Sequence, residues 1–138
     1  MDTFDADVLI YAAVSGHPLG RRVLAMFGRA SGAFVGAGSI LLIPELLSRP
    51  LRDGRAAEIR FLTGLLSRLD LRPVDHATAE LAAVLASKYR LRATDATHLA
   101  TAVGLGADRF ITSNKRDLRR TIDEVQVTYP EQLPDPLT

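Results

Sequence analysis

The chain has 138 residues, a formal net charge of +1, 47% hydrophobic and 24% charged residues, and no cysteine. At this length one core burying about two-thirds of the unfolded surface is expected, and with it a single domain across the whole chain. The missing cysteines exclude disulfides, zinc–thiolate sites and thiol nucleophiles. The near-neutral charge excludes a histone-like polycation but leaves room for a local basic patch.

In chain order, Thr3–Asp5 is expected to be a short strand, and Val8–Val14 either extends it or turns into helix. His17–Ala30 places Val23, Met26, Phe27 and Ala30 on one face, the spacing of an amphipathic helix. Ala33–Gly36 reads as a strand between glycines. Ser39 is placed to cap a helix reaching about Arg52, with Pro44 imposing a kink or a later start. Arg55–Leu69 carries Ile59, Leu62, Leu65, Leu66 and Leu69 on one face and predicts a second helix, followed by a strand at Leu71–Val74. Asp75 caps an alanine-rich helix to Tyr89. Thr94 caps another from Asp95 to about Leu105, closed by Gly106. Arg109–Thr112 is a strand, Asn114–Thr121 a short helix and Val125–Thr128 a last strand. The tail Pro130–Thr138, with Pro130, Pro134 and Pro136, is expected to be a surface strap or a frayed end.

Strands alternating with helices predict an α/β fold, a mainly parallel sheet with helices on its faces. Ligands of such sheets bind beyond the carboxyl ends of the strands. The longest apolar stretch, around Ile40–Ile43 and Leu46, contains Pro44 and Glu45 and falls short of a membrane span. The N-terminus lacks a basic, apolar leader pattern, so a cytoplasmic location and no membrane partner are expected.

Four acids stand in apolar runs: Asp5, Glu45, Asp95 and Asp117. A carboxylate in apolar surroundings is costly unless neutralised. If the four converge they form a site that needs a cation. With no cysteine and few histidines, oxygen ligands suit Mg²⁺ or Mn²⁺ better than zinc. Taken singly, Asp95 can be a first-turn acid complementing its helix dipole, and Asp117 can pair with Arg120 on the surface. Glu45 and Asp5 are harder to explain away, because their surroundings read as buried.

The motifs around these acids resemble a known family. F-D-A-D-V-L-I-Y-A is similar to the opening motif of the PIN-domain nucleases, and L-L-I-P-E-L-L-S-R to their central glutamate helix. L-R-A-T-D-A-T-H-L-A-T-A-V-G-L-G-A-D-R-F-I-T-S-N-K-R-D-L resembles their closing block. Order and spacing agree from Asp5 to Asp117, and the chain length is similar to that of VapC-like ribonuclease toxins of bacterial toxin–antitoxin modules. The resemblance implies a three-layer α/β/α domain with a central, mainly parallel sheet of four or five strands. It implies a Mg²⁺-dependent endoribonuclease acting on RNA, with Mn²⁺ as a substitute ion, a homodimer and a cognate antitoxin. Asp5, Glu45 and Asp95 match the acidic metal-binding positions. Asn114 and Asp117 match the final polar and acidic positions, either or both completing the site, with Asp117 the fourth metal ligand. Asp7 stands where the family often has Asn or Ser, as a supporting ligand or a turn former. Thr112 would supply a hydroxyl behind the ligands. The first strand, with Asp2 and Thr3, is more polar than is usual in the family.

Other readings remain. Asp5-Ala6-Asp7 also resembles the start of haloacid-dehalogenase-like phosphatases, with Asp5 as nucleophile and Asp7 as acid/base. A non-catalytic PIN-like domain binding RNA or protein is the third. His98 shares a helix side with Asp95, but a packing role is expected of it. His17 and His76 flank helix starts without evident partners. Arg49, Arg52, Arg55, Arg90, Arg92, Lys115 and Arg116 could position phosphates. The stretch Leu41, Leu42, Leu46 and Leu47 is expected to expose apolar surface for a subunit or antitoxin, or else to be a core helix.

Overall fold

A computed structural model describes all 138 residues. Five strands, β1 (Asp2–Phe4), β2 (Gly36–Ser39), β3 (Leu69–Arg72), β4 (Arg109–Ile111) and β5 (Gln126–Thr128), form one sheet in the order β3-β2-β1-β4-β5. Every pairing is parallel. Six helices connect them: α1 (Ala6–Ala13), α2 (Pro18–Arg29), α3 (Leu42–Arg52), α4 (Ala56–Leu66), α5 (His76–Tyr89) and α6 (Ala93–Gly104). The expected three-layer α/β/α architecture is present. No helix is long and apolar enough to cross a membrane.

The two faces of the sheet carry separate cores. One gathers Phe4 and Ile111 with Val8, Leu9, Val23, Leu42, Leu46 and Leu62 from α1–α4. The other gathers Phe110 and Val127 with Leu85, Leu99 and Ala102 from α5 and α6. Phe110 and Ile111 are neighbours on β4 yet join opposite cores, because successive strand residues point to opposite faces.

The polar β1 has a local explanation. Arg109 of β4 grips Asp2 through Nε and Nη2 at 2.9 and 2.8 Å, and Thr3 Oγ1 donates to the Arg109 carbonyl at 2.9 Å. The strand therefore gains side-chain bonds to its neighbour as well as its ladder. β2 lies three residues later than the sequence suggests. Its glycine is required by close packing: a Cβ on Gly36 would stand 2.3 Å from the Asp2 carbonyl oxygen. At Gly20 a Cβ would fall 1.9 Å from the Tyr11 carbonyl oxygen, so glycine is what lets α2 lie on α1.

Several expectations are corrected. α1 begins at Ala6, because Asp5 ends its strand early and caps the helix, accepting from Ala6 N at 2.9 Å. Ser39 belongs to β2, and α3 starts at Leu42 with Pro44 in its first turn, where a missing N–H costs no helical bond. Leu69 opens β3 rather than closing α4. α6 starts before Thr94, with Arg92 at the cap position and no side-chain cap. Asn114–Thr121 forms turns, not a helix. The Asn114 side-chain oxygen takes the Asp117 N–H at 3.2 Å, a local bond that competes with helix formation.

Leu42 and Leu46 are buried in the core, and Leu47 packs against it. The expected exposed apolar stretch is thus mainly core, leaving Ile40, Ile43 and Leu51 outside. The tail is not frayed. After a short 3-10 turn at Pro130–Gln132, Leu133 is 2% exposed in the first core. Arg22 Nη1 of α2 donates to the Glu131 and Leu133 carbonyls at 3.0 and 2.8 Å.

Candidate active site

All five strands run in one direction, so their carboxyl ends share an edge. Asp5 follows β1, and Thr112 to Asp117 follow β4. Asp95 lies in the first turn of α6 and Glu45 in the first turn of α3.

Glu45, Asp95, Asn114 and Asp117 line one open depression of about 570 Å³, together with Arg92, Thr94 and Arg116. None of these lining residues is hydrophobic. The structure therefore brings together four of the five residues singled out in the sequence. Asp5 does not line the depression. It is buried, and its Oδ2 accepts from Thr112 Oγ1 at 2.8 Å while Oδ1 caps α1. Thr112 Oγ1 in turn accepts from Asn114 N at 3.1 Å, which ties Asp5 to the loop after β4.

Asp7 acts on the same loop. It accepts from Ser113 Oγ at 2.6 Å and from Ser113 N at 3.3 Å. Asn114 then fixes Asp117, donating from Nδ2 to Asp117 Oδ2 at 3.4 Å while its Oδ1 takes the Asp117 N–H. Asp117 pairs with Arg116 at 3.5 Å, not with Arg120.

Glu45 departs from expectation. Leu42, Leu46 and Pro50 form the buried stripe of α3, and Glu45 stands off it with its side chain a third exposed. Its carboxylate accepts from Nε2 of His98, which is 2% exposed. The packing role expected of His98 is thus incomplete: its imidazole is buried, but it holds a candidate ligand across the site. The sequence signal was present in Asp95 and His98 lying three apart on α6.

The electrostatics bind the acids into one group. Burial, reinforced by the Asp7 charge, pushes Asp5 up to about 6 despite the opposing His98, Thr112 and Ala6. Asp95 is also raised, first by burial and then by the charges of Asp117 and Glu45. For His98 burial alone would lower the pKa. The bond to Glu45 and the charges of Asp5, Glu45 and Asp95 outweigh it and leave the imidazole raised. Carboxylates that raise one another in this way form a field that a cation relieves.

The donor set is oxygen-rich and anionic, which fits a hard divalent ion. In the conformation seen here no three His, Asp or Glu side chains gather closely enough to hold one, and the Glu45 carboxylate lies against His98. Of the basic residues considered, Arg92 and Arg116 reach the depression. Arg52, Arg55 and Lys115 instead pair with Asp53, Glu58 and Glu131. His17 caps α2 through Nδ1, and His76 pairs with Glu80 on the surface.

Comparison with known proteins decides the family. The chain matches the PIN-domain family model over residues 3–123. It belongs to the PIN-domain family. The haloacid-dehalogenase reading is overturned by this match, and the engagement of Asp5 and Asp7 in bonds to the 112–113 loop gives it no support. No curated protein matches the sequence. Among solved structures, the PIN domain here is similar to one described as a toxin–antitoxin complex from Klebsiella pneumoniae. The TM-score is 0.74 at 24% identity, covering 94% of this chain and 98% of the other. It is also similar to a VapBC2 structure from Rickettsia felis bound to a promoter DNA fragment (TM-score 0.72, 15% identity, 93% and 97% covered). A DNA-bound VapBC from Salmonella typhimurium gives a TM-score of 0.71 at 15% identity, with 94% and 97% covered. At these identities the likeness is one of fold.

Proposed function

We propose that this PIN domain is a Mg²⁺-dependent endoribonuclease, working as a homodimeric toxin that a cognate antitoxin holds inactive. The observation that carries the reading is the wholly polar depression that Glu45, Asp95 and Asp117 line together, with Asp95 raised by burial and then by the charges of Asp117 and Glu45. Family membership supports a nuclease, and the fold likeness to toxin–antitoxin complexes supports the partner.

In this reading Glu45, Asp95 and Asp117 would hold the ion from the depression, and Asp5, buried and already accepting from Ala6 N and Thr112 Oγ1, would join them through a remaining lone pair. Asn114 orients Asp117 through its paired bonds, and Thr112 orients Asp5. A divalent ion bound there supplies charge against the phosphodiester oxygens and lowers the pKa of a water. Arg92 and Arg116 hold the RNA backbone at the rim, where phosphate contacts set position without reading sequence. The depression is lined by no aromatic ring, so aromatic base stacking is not expected there.

The test is RNA cleavage by the natural chain, Asp5→Asn and Asp95→Asn, each with Mg²⁺ and with EDTA. Cleavage by the natural chain in Mg²⁺ alone is expected, and activity that persists in both variants and in EDTA would sink the reading.

A further inference from the structure

We propose that His98 is the positioning residue for Glu45, an imidazole built into α6 to fix one carboxylate oxygen and leave the other for the cation. This rests on the reading of Glu45 as a cation ligand.

His98 is 2% exposed, the most buried imidazole in the chain, and its side chain's one hydrogen bond is that from Nε2 to Glu45 Oε1. Glu45 has no other side-chain partner. A carboxylate accepts and cannot donate, so the proton of this bond belongs to Nε2. The other ring nitrogen, Nδ1, is buried without any partner. A histidine serving only to fill space has no reason to carry an orphaned nitrogen into the core, because an unpartnered buried polar atom is costly. Leucine or methionine would fill the volume without that penalty. The bond to Glu45 is what the ring offers in return.

Glu45 needs such a support. It stands off the buried stripe of α3, a third exposed, on a flexible side chain. Asp5 and Asp117 are fixed by Thr112 and Asn114. His98 does the same for Glu45, across 53 residues of sequence and from the helix that carries Asp95. Partners that orient metal ligands typically govern affinity by about 10–100-fold.

The amide nitrogen of glutamine can reach the place of Nε2, whereas that of asparagine falls near Nδ1 and leaves Glu45 unsupported. Both place a polar amide in the same buried site. Mn²⁺ binding is measured on the full chain by the electron paramagnetic resonance signal of free Mn²⁺, for the natural chain, His98→Gln, His98→Asn, Glu45→Gln and the His98→Asn/Glu45→Gln double variant. Melting in EDTA confirms that each is folded. The proposal expects His98→Asn to weaken Mn²⁺ by about 10–100-fold, His98→Gln to restore most of that loss, and the double variant to be no weaker than Glu45→Gln. Equal affinities for His98→Asn and His98→Gln, with Glu45→Gln still weakened, overturn the role of His98 alone. Unchanged affinity in Glu45→Gln overturns the ligand reading itself, and the proposal with it. If His98→Asn does not fold, His98→Leu takes its place: a loss of Mn²⁺ affinity of about 10–100-fold that disappears in the Glu45→Gln background supports the proposal, and natural affinity overturns it.

Discussion

Replacing Asp5 with Asn should make the metal-free protein more stable while abolishing the proposed RNA cleavage. The Asp5 carboxyl is displaced from 3.8 to about 6, chiefly by burial and then by Asp7. A displacement of that size corresponds to about 3 kcal/mol between its two protonation states. Because the folded value is the higher one, charge on Asp5 destabilises the fold. Below pH 3.8 the group is protonated in both folded and unfolded chains and the cost is absent; it grows with pH and is complete above about 6. An asparagine removes the charge and still presents an oxygen to Ala6 N, but its amide reverses the bond to Thr112 Oγ1 and leaves that hydroxyl's proton without its acceptor, which offsets part of the gain. At about pH 7.5 a gain of about 1–3 kcal/mol is therefore expected, a rise in Tm of about 3–10 °C for a chain of this size. Near pH 4 the gain should shrink to almost nothing. The assay is thermal unfolding of both proteins in EDTA at the two pH values. A variant that is less stable than the natural chain at the higher pH, or equally stabilised at both, would refute the reasoning. Such exchange of stability for activity is expected where crowded acids are kept for function.

Other outcomes follow from packing and charge. Gly20→Ala should cost about 1–3 kcal/mol or more in urea unfolding, since its methyl meets backbone, whereas Gly28→Ala, on the same helix with open space around it, should stabilise by about 0.5–1 kcal/mol. Leu133→Ala should lose about 2–5 kcal/mol, the cost of a core leucine; a change near zero would mean the tail is not anchored. Arg92→Ala and Arg116→Ala should each weaken RNA binding for all sequences alike and reduce the salt dependence by about one counterion, read by fluorescence anisotropy against salt concentration.

Most of the fold was legible because its signals are local. The amphipathic spacing of Val23 and Phe27, the Asp75 cap and Gly106, with φ +64° beyond α6, each act within a turn of themselves. The errors fall where distant contacts decide. Nothing near Gly36 reveals that β2 runs on to Ser39, because the reason is its pairing with Leu69–Arg72 of β3. Leu133 looks like part of a proline-rich tail until Arg22 is seen holding its carbonyl. For the site, the acids themselves were readable from their motifs, but their surroundings were not. Glu45 was expected to be buried among leucines. The stripe Leu42, Leu46 and Pro50 places it outside instead, a point the helical period could have shown once α3 was taken to begin at Leu42. The partner that holds it, His98, lies 53 residues away and no local rule connects the two. The basic residues divide in the same way: only the fold shows Arg92 and Arg116 at the depression.

The central claim is that acids from four segments serve one cation. Crystals soaked in MnCl₂ test it most directly, by the anomalous scattering of the ion. The account predicts a peak among the carboxylates of Asp5, Glu45, Asp95 and Asp117, lost in Asp95→Asn crystals. A peak elsewhere, or none at a concentration that supports RNA cleavage, would contradict it.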